Sequence, residues 1–377
     1  MGRGLTGTRM PWAALVAFGL GAVSCAGPSA HLPIDEGAAA PCCQVPSRSV
    51  QVQYLGVEGY LIQWGDRALL TAPLFSNPTI RSIALWTIRP NPERIERFLP
   101  PVDHVDDILV GHAHYDHLLD VPYIATHLAP QARIFGSQTA VNILMAALPE
   151  DRLVVVNSTA GTAEEPGYWH YSRSGAFRFM ALESEHAPHY RSVKLFSGKV
   201  EQPLKRLPGR ASYWREGQTY SYLIDLLHPD GSVAFRIHFQ DAASTPPAGF
   251  PPDMVGKDAA PVDLAITCVP GFAKVQGYPE RVIRHLQPRY VLLGHWENLF
   301  AEPTGERHRL RTVPMTDVEE FIRRLELAMP GGGRSGPCPC PGAATATPSP
   351  GAEAATRSGE GPWRRSDRRR GGDGPPL

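Results

Sequence analysis

The stretch ILVGHAHYDHLLDV, residues 108–121, places three histidines and one aspartate within six positions, directly after three consecutive apolar residues. The apolar run predicts a buried strand that ends where the polar residues begin. Alternate side chains of an extended chain point the same way, so His112, His114 and Asp116 are predicted to share one face. His117 joins them only where the chain turns. Because imidazoles and carboxylates bind zinc, the stretch predicts a metal site at the end of this strand.

The same segment carries a resemblance to a known family. HAHYDH, residues 112–117, matches the H-x-H-x-D-H motif of the metallo-β-lactamase superfamily. The resemblance covers residues 49–329 and implies an αββα sandwich, in which two mixed β-sheets flanked by helices hold two metal ions between them. Within the superfamily, the chain looks most similar to the branch that contains N-acyl-phosphatidylethanolamine-hydrolysing phospholipase D and the bacterial ascorbate-phosphate lactonases.

Three further ligands are implied by this resemblance, each at a strand end and in a set order. The first is His186, after FRFMALES, in preference to His189, which would then support a ligand or face the substrate. The second is Asp241, after VAFRIHFQ, where Gln-Asp-Ala replaces the Gly-Asp-Thr/Ser of the family. The third is His295, after the apolar segment YVLLG.

Together these residues predict two adjoining metal sites. The predicted ligands are His112, His114 and His186 for one ion, Asp116, His117 and His295 for the other, and Asp241 as the bridge between them. Three protein ligands per ion and a shared carboxylate leave room for water, as a catalytic zinc site needs. Two zinc ions are expected, with iron or manganese as alternatives. The expected nucleophile is a hydroxide shared by the ions, and Asp116 is the predicted catalytic residue, as a ligand that also accepts a proton.

The predicted activity is metal-dependent hydrolysis of a phosphodiester, in particular a lipid-derived one. The preference for phosphorus comes from the resemblance and from the lipid anchor predicted below. The basic and aromatic segment 188–219 would suit a phosphate if it lines the pocket, although a solvated loop explains it equally well. One alternative is a lactone, amide or β-lactam hydrolase with the same centre. An alternative of another class is a non-catalytic surface lipoprotein that binds metal or a ligand.

Both ends of the chain differ from its middle. Residues 1–25 combine two arginines, the apolar run PWAALVAFGLGAV and the sequence AVSC, which resembles a bacterial lipobox ending at Cys25. The run predicts an export signal, either lipid-modified at Cys25 or cleaved near Ala26. Residues 26–48 are a predicted linker, and residues 330–377, rich in Pro, Gly and Arg, are a predicted disordered tail. The protein is therefore expected to be exported, and either anchored on the periplasmic side of a bacterial membrane or released.

Charge and cysteine content restrict the other functions. The 377 residues carry 37 basic and 37 acidic side chains, so the net charge does not favour nucleic-acid binding. The six cysteines have no zinc-finger spacing, and their pairing cannot be deduced from the sequence. The oligomeric state, the natural substrate and the native metal stay open.

The body of the chain, residues 49–329, alternates patterns that are typical of strands and helices. The predicted strands are VQVQYLG, GYLIQWG and RALLTAP, which form an opening antiparallel meander, and then ILV, RLVVVN, AFRFMALES, TYSYLIDLL, SVAFRIHFQDA, DLAITCVPG and RYVLLGH. The predicted helices are NPERIERFL, SQTAVNILMAAL, YPERVIRHLQP and TDVEEFIRRLELAM. In the last helix, Thr316 and Glu319 have the spacing of a capping box.

Overall fold

Two β-sheets lie face to face, with helices against their outer surfaces. The computed structural model describes residues 49–301 and 312–329. Each sheet has six strands and mixes parallel with antiparallel pairs. This architecture is the predicted αββα sandwich, so the predicted fold class is confirmed. The predicted export signal, linker and tail, residues 1–25, 26–48 and 330–377, lie outside the described residues.

The first sheet has the strand order β1-β2-β3-β4-β5-β6. Its strands are β1 (Val50–Gly56), β2 (Gly59–Trp64), β3 (Arg67–Thr71), β4 (Val105–Leu109), β5 (Arg133–Gly136) and β6 (Leu153–Val155). β1 to β3 form the predicted antiparallel meander, and β3 to β6 pair in parallel. The strand predicted before the histidine motif is β4, which lies inside the sheet between two parallel neighbours.

The second sheet has the strand order β12-β11-β10-β9-β8-β7. Its strands are β7 (His170–Tyr171), β8 (Phe177–Ser184), β9 (Thr219–Leu227), β10 (Val233–Gln240), β11 (Leu264–Cys268) and β12 (Tyr290–Gly294). β7 to β10 pair antiparallel, and β10 to β12 pair in parallel. β8, β10 and β12 therefore run in one direction and end at the same edge of the sheet, and each precedes a predicted metal ligand.

The helices cover the outer faces of both sheets. They are α1 (Ile80–Leu85), α2 (Pro92–Phe98), α3 (Tyr115–Leu118), α4 (Val121–Tyr123), α5 (Gln138–Leu144), α6 (Glu280–Leu286) and α7 (Val318–Ala328). A π-helical turn and short 3₁₀ segments cover Ile124–Leu128, Glu150–Arg152, Ala211–Tyr213, Gly256–Asp258 and Phe272–Lys274. Within the described residues, none of the helices has the length and apolar character needed to cross a bilayer.

All four predicted helices are present, and α7 differs from its prediction at its first turn. The helix is capped by Asp317, whose side chain accepts a hydrogen bond from the backbone N–H of Glu320. The cap therefore lies one residue after the capping box predicted from Thr316 and Glu319. A short carboxylate at this position satisfies one of the unpaired N–H groups of the helix start, as the hydroxyl of Thr316 would have done.

Side-chain alternation in the strands produces three apolar layers. In β8, Phe177 and Phe179 face the space between the sheets, whereas Met180 packs under the outer helices. In β4, Leu109 lies between the sheets and Ile108 packs on the outer side. Both faces of these strands are buried, which explains why their sequences are nearly continuous apolar runs.

A buried ion network joins three neighbouring strands of the second sheet. The register places Asp225 of β9 between Arg178 of β8 and Arg236 of β10. Both guanidinium groups donate to the Asp225 carboxylate at 2.6 to 2.8 Å, and all three residues are almost fully buried. Arg178 also pairs with Asp258, and both arginines lie over the ring of Trp169. The central carboxylate thus compensates two buried cations.

Asp225→Asn is expected to lower the free energy of unfolding by about 3–5 kcal/mol, because removal of one partner leaves buried charge uncompensated. Urea denaturation followed by circular dichroism measures the change. Glu320→Gln is the control, since Glu320 pairs with Arg323 on the exposed side of α7, where water screens the pair. If both variants kept the wild-type urea midpoint, the stabilising role of Asp225 would be rejected.

Candidate metal centre

The loop after β4 places the first group of predicted ligands at one edge of the sandwich. β4 ends at Leu109, so His112 and His114 lie in the loop rather than on the strand itself. Helix α3 begins directly after His114 and carries Asp116 and His117 on its first turn. Simple alternation predicted an extended chain through Asp116, but the chain enters α3 before that residue. The turn that His117 needs is supplied by α3, which begins at Tyr115, before the LLDV segment where the turn was expected.

Close contact with the second sheet holds this loop. A Cβ at Gly111 would lie 2.1 Å from the Cβ of Asp241, so only glycine lets the two segments approach. The carbonyl of Gly111 accepts a hydrogen bond from the backbone N–H of Tyr220 at 2.8 Å. The backbone N–H of Ala113 donates to the carbonyl of Glu216 at 2.9 Å. The loop is thus attached to the beginning of β9.

His186 follows β8 and reaches the histidines of this loop. Its ring centroid lies 4.8 Å from that of His112 and 5.0 Å from that of His114. His189 stacks on His186 at 4.6 Å, with an angle of 13° between the rings. Among the described residues, His186 belongs to a group whose ligand atoms are close enough to share an ion, and His189 belongs to none. The structure thus places His186 in a candidate metal-binding group and His189 beside that group.

Asp241 lies between two histidines of the loop. It directly follows β10 and is buried. Its Oδ2 lies 2.5 Å from Nδ1 of His112, and its Oδ1 lies 3.1 Å from Nδ1 of His117. Each oxygen therefore faces a histidine of a different predicted site, as a bridging carboxylate requires. The neighbouring Gln240, which replaces the glycine of the family motif, turns away and donates to Oγ of Ser244.

His295 completes the cluster from the end of β12. Its φ of 55° is a left-handed backbone conformation that is uncommon for a residue with a Cβ. The backbone N–H of His295 donates to the carbonyl of Val57, and the Glu297 carboxylate accepts from the Val57 N–H and the Tyr54 hydroxyl. The turn between β1 and β2 thereby fixes the His295 loop. In this position Nε2 of His295 lies 3.2 Å from Oδ2 of Asp116.

All seven predicted ligands come together at this edge of the sandwich. They form three overlapping groups, within each of which the candidate ligand atoms lie within 4.8 Å of one another. The groups are His112, His114 and His186; His112, His117 and Asp241; and Asp116, His117 and His295. The first and third groups coincide with the two predicted sites, and the second connects them through Asp241.

Unpaired ring nitrogens show that the cluster fits metal ions. Nε2 of His112 and Nε2 of His114 are buried and have no hydrogen-bond partner among the described residues. Buried polar atoms without partners are rare in folded proteins, because each one loses its hydrogen bonds to water. A cation that accepts imidazole lone pairs would remove this deficit, and nitrogen with oxygen is a suitable donor set for zinc, iron or manganese.

The protonation states of the cluster also suit a cation. Burial, together with the neighbouring His112, holds the pKa of His114 and of His186 well below the usual value, so these rings are neutral. Burial alone would raise the pKa of Asp241, but attraction and hydrogen bonds from His117 and His112 outweigh it and hold that pKa below the usual value. Neutral imidazoles and ionised carboxylates are the forms that bind metals.

Glu58, in the turn between β1 and β2, is a buried carboxyl group to which sequence reasoning assigned no role. Both of its oxygens are buried and have no hydrogen-bond partner among the described residues. Burial, followed by the charge of Asp241, raises the pKa of Glu58 well above the usual value. A Cβ at Gly294 would lie 2.1 Å from Oε2 of Glu58, so glycine is required beside it. The only signal in the sequence is one acidic residue inside an apolar hairpin.

This chain is similar in structure to several solved proteins, at low sequence identity. No protein-family model matches the sequence, and neither does any curated protein. YhfI, a metallo-β-lactamase-fold protein from Bacillus subtilis, is 14% identical over 75% of this chain and 94% of that chain, with a TM-score of 0.41. Igni18, a metallo hydrolase from the archaeon Ignicoccus hospitalis, is 14% identical over 74% and 91%, with a TM-score of 0.40. CmlA, a diiron β-hydroxylase from Streptomyces venezuelae, is 15% identical over 67% and 45%, with a TM-score of 0.37.

Two facing mixed sheets, with a histidine and aspartate cluster where β4, β8, β10 and β12 end, are the αββα architecture that the resemblance to the metallo-β-lactamase superfamily predicted. The fold alone does not define the reaction, because one scaffold supports many activities. The reaction of this chain therefore has to be inferred from its own side chains. The narrower placement, beside the phospholipase D and the lactonases, stays a prediction.

Proposed function

We propose that this protein is a metal-dependent hydrolase that holds two divalent cations and cleaves phosphodiesters. The observation that carries the proposal is the convergence of seven histidine and aspartate side chains, with Asp241 between His112 and His117. Structural zinc sites are built largely from cysteine, whereas these groups consist of histidine and aspartate, which are the ligands of many catalytic zinc sites. This donor set favours catalysis over a structural role.

Asp116 is the residue best placed to handle a proton. Bound cations would supply stabilisation of a charged oxygen and a lowered pKa of water. Oδ2 of Asp116 faces His295, while Oδ1 has no hydrogen-bond partner among the described residues. Burial raises the pKa of Asp116, but attraction to His117 and a hydrogen bond from His295 outweigh this effect and hold that pKa well below the usual value. A proton accepted at Oδ1 would therefore be passed on to another group rather than retained by the carboxylate.

Positive charge beside the centre favours a phosphodiester over an uncharged carbonyl substrate. Lys274 donates to the backbone carbonyl of His189, whereas the guanidinium of the exposed Arg191 lies over the ring of Tyr190. The same segment reaches the cluster, since the ring of Phe196 lies 6.2 Å from that of His114. Cationic side chains near a reaction centre attract and stabilise anionic substrates.

A side-by-side assay of the metal-loaded protein tests this proposal. We expect turnover of a chromogenic phosphodiester, and loss of that turnover when a chelator is added. Turnover of a chromogenic lactone alone would instead identify a carbonyl hydrolase that uses the same centre. Bound metal without turnover of either substrate, or of a wider panel of esters, would identify a binding protein.

Two histidine variants separate the activity of this protein from that of a contaminating hydrolase. His186→Ala removes one candidate ligand and is expected to abolish turnover. His285→Ala is the matched control, because the ring of His285 stacks on Phe250 and lies within hydrogen-bond distance of the Pro251 carbonyl, outside the cluster. Equal turnover in both variants would show that the activity does not come from the cluster.

A further inference from the structure

The ring of His189 lies against the cluster without belonging to it. It stacks on His186 and its centroid lies 5.3 Å from that of His114. The side chain is partly buried, and its Nε2 has no hydrogen-bond partner within residues 49–301 and 312–329. Nε2 is not fully buried, so solvent reaches it. A polar atom is thus open to a substrate beside two of the candidate ligands.

The direction of one hydrogen bond defines which nitrogen of His189 carries the proton. The backbone N–H of Leu195 donates to Nδ1 of His189 at 3.1 Å. A ring nitrogen that accepts a hydrogen bond carries no proton, so the proton of the ring is on Nε2. The open side of the ring therefore presents an N–H donor. Neither nitrogen offers a free lone pair, which explains why His189 is not a ligand although it follows the same strand as His186.

Four contacts hold this donor in place. The ring stacks on His186 and accepts the Leu195 hydrogen bond. The backbone N–H of His189 donates to the carbonyl of Val193 at 2.9 Å, and its backbone carbonyl accepts a hydrogen bond from Nζ of Lys274. A donor fixed in advance stabilises developing charge without having to reorganise during the reaction.

We propose that Nε2–H of His189 donates a hydrogen bond to the substrate oxygen that gains negative charge during hydrolysis, a non-bridging phosphate oxygen in a phosphodiester. The inference rests on the proposed hydrolase function and adds a substrate-contacting residue to it. His189 acts as a hydrogen-bond donor throughout and neither gains nor loses a proton. Loss of one such donor lowers turnover by about 10²–10³-fold in other enzymes.

Two substitutions separate the donor from the ring. His189→Phe keeps an aromatic ring to stack on His186 but removes the N–H, whereas His189→Gln keeps an N–H donor at a similar distance from the backbone. We expect kcat/KM for the chromogenic phosphodiester to fall about a hundredfold in His189→Phe. In His189→Gln we expect it to stay within about tenfold of the wild-type value, because the charge-stabilising hydrogen bond is kept.

Metal content and phosphate binding supply readouts that do not depend on turnover. Both variants are expected to bind as much metal as the wild-type protein, because His189 is not a ligand. Calorimetric titration of the metal-loaded proteins with inorganic phosphate is expected to show about tenfold weaker binding for His189→Phe, and little change for His189→Gln.

Each outcome is decisive for His189. Wild-type kcat/KM and phosphate affinity in His189→Phe would overturn the inference, and so would an equal loss in both variants. Loss of metal in both variants would show that His189 is a ligand. A wild-type protein that turns over neither ester would contradict the proposed function alone, and the phosphate titration would then still decide whether His189 contacts a phosphate oxygen.

Discussion

Asp241→Asn is expected to lower kcat/KM about a thousandfold and to remove about half of the bound metal. The two carboxylate oxygens of Asp241 face His112 and His117 separately. An amide of the same size has one oxygen and one NH₂ group, and it carries no charge. At one of the two predicted sites, an NH₂ group would therefore stand in place of the carboxylate oxygen that serves as the anionic ligand. Metal analysis by mass spectrometry and steady-state kinetics measure the two effects.

Asp106→Asn is the matched control for this substitution. Asp106 is another buried aspartate, but it lies at the beginning of β4, at the opposite end of the strand from the histidine loop. It contacts Arg67 at 3.8 Å and accepts a hydrogen bond from Ser174. Metal content and kcat/KM are expected to remain at wild-type levels. If Asp241→Asn behaved in the same way as this control, Asp241 could not be the bridge.

Local spacing and strand direction made most of the candidate site predictable. His112, His114, Asp116 and His117 lie in a single short loop and helix turn, so their proximity follows from the sequence alone. The later residues are distant in sequence but share a simple rule. Each follows a strand, and those strands run in one direction within the second sheet, so their ends meet at one edge.

Contacts between remote segments could not be predicted. Both His186 and His189 follow β8, and only the stacking of the rings and the hydrogen bond from Leu195 separate their roles. The hydrogen bond from the Val57 N–H to Glu297, which supports the His295 loop, joins residues 240 positions apart. No spacing rule in a single sequence indicates such a pair.

The sequence does not predict several short elements, because their residues show neither strand alternation nor helical spacing of apolar side chains. β5 has four residues, Arg133–Gly136, and forms because it is paired on both sides by β4 and β6. Tertiary pairing of this kind decides strand formation more than intrinsic preference does. α1 contains no buried residue, so it has no apolar stripe to detect, and its only local signal is the Thr79 cap.

Removal of the metal by a chelator is expected to abolish turnover and to lower the midpoint of thermal unfolding by about 10 °C. An ion that binds only the folded state stabilises it by about 4 kcal/mol when its concentration is a thousand times its dissociation constant. A domain of this size shifts by about 2–4 °C for each kcal/mol. Differential scanning fluorimetry, with and without added zinc, manganese or iron(II), measures the shift and identifies the ion that restores both properties.

The same histidine variants show whether the shift arises in the cluster. In His186→Ala, which lacks one of three imidazoles of a predicted site, added metal should raise the unfolding midpoint much less than in the wild-type protein. In His285→Ala the full metal-dependent shift should persist, because that ring lies outside the cluster. A midpoint that is unaffected by chelation and by added metal would mean that the buried imidazoles hold no ion, and the hydrolase proposal would then have no chemical basis.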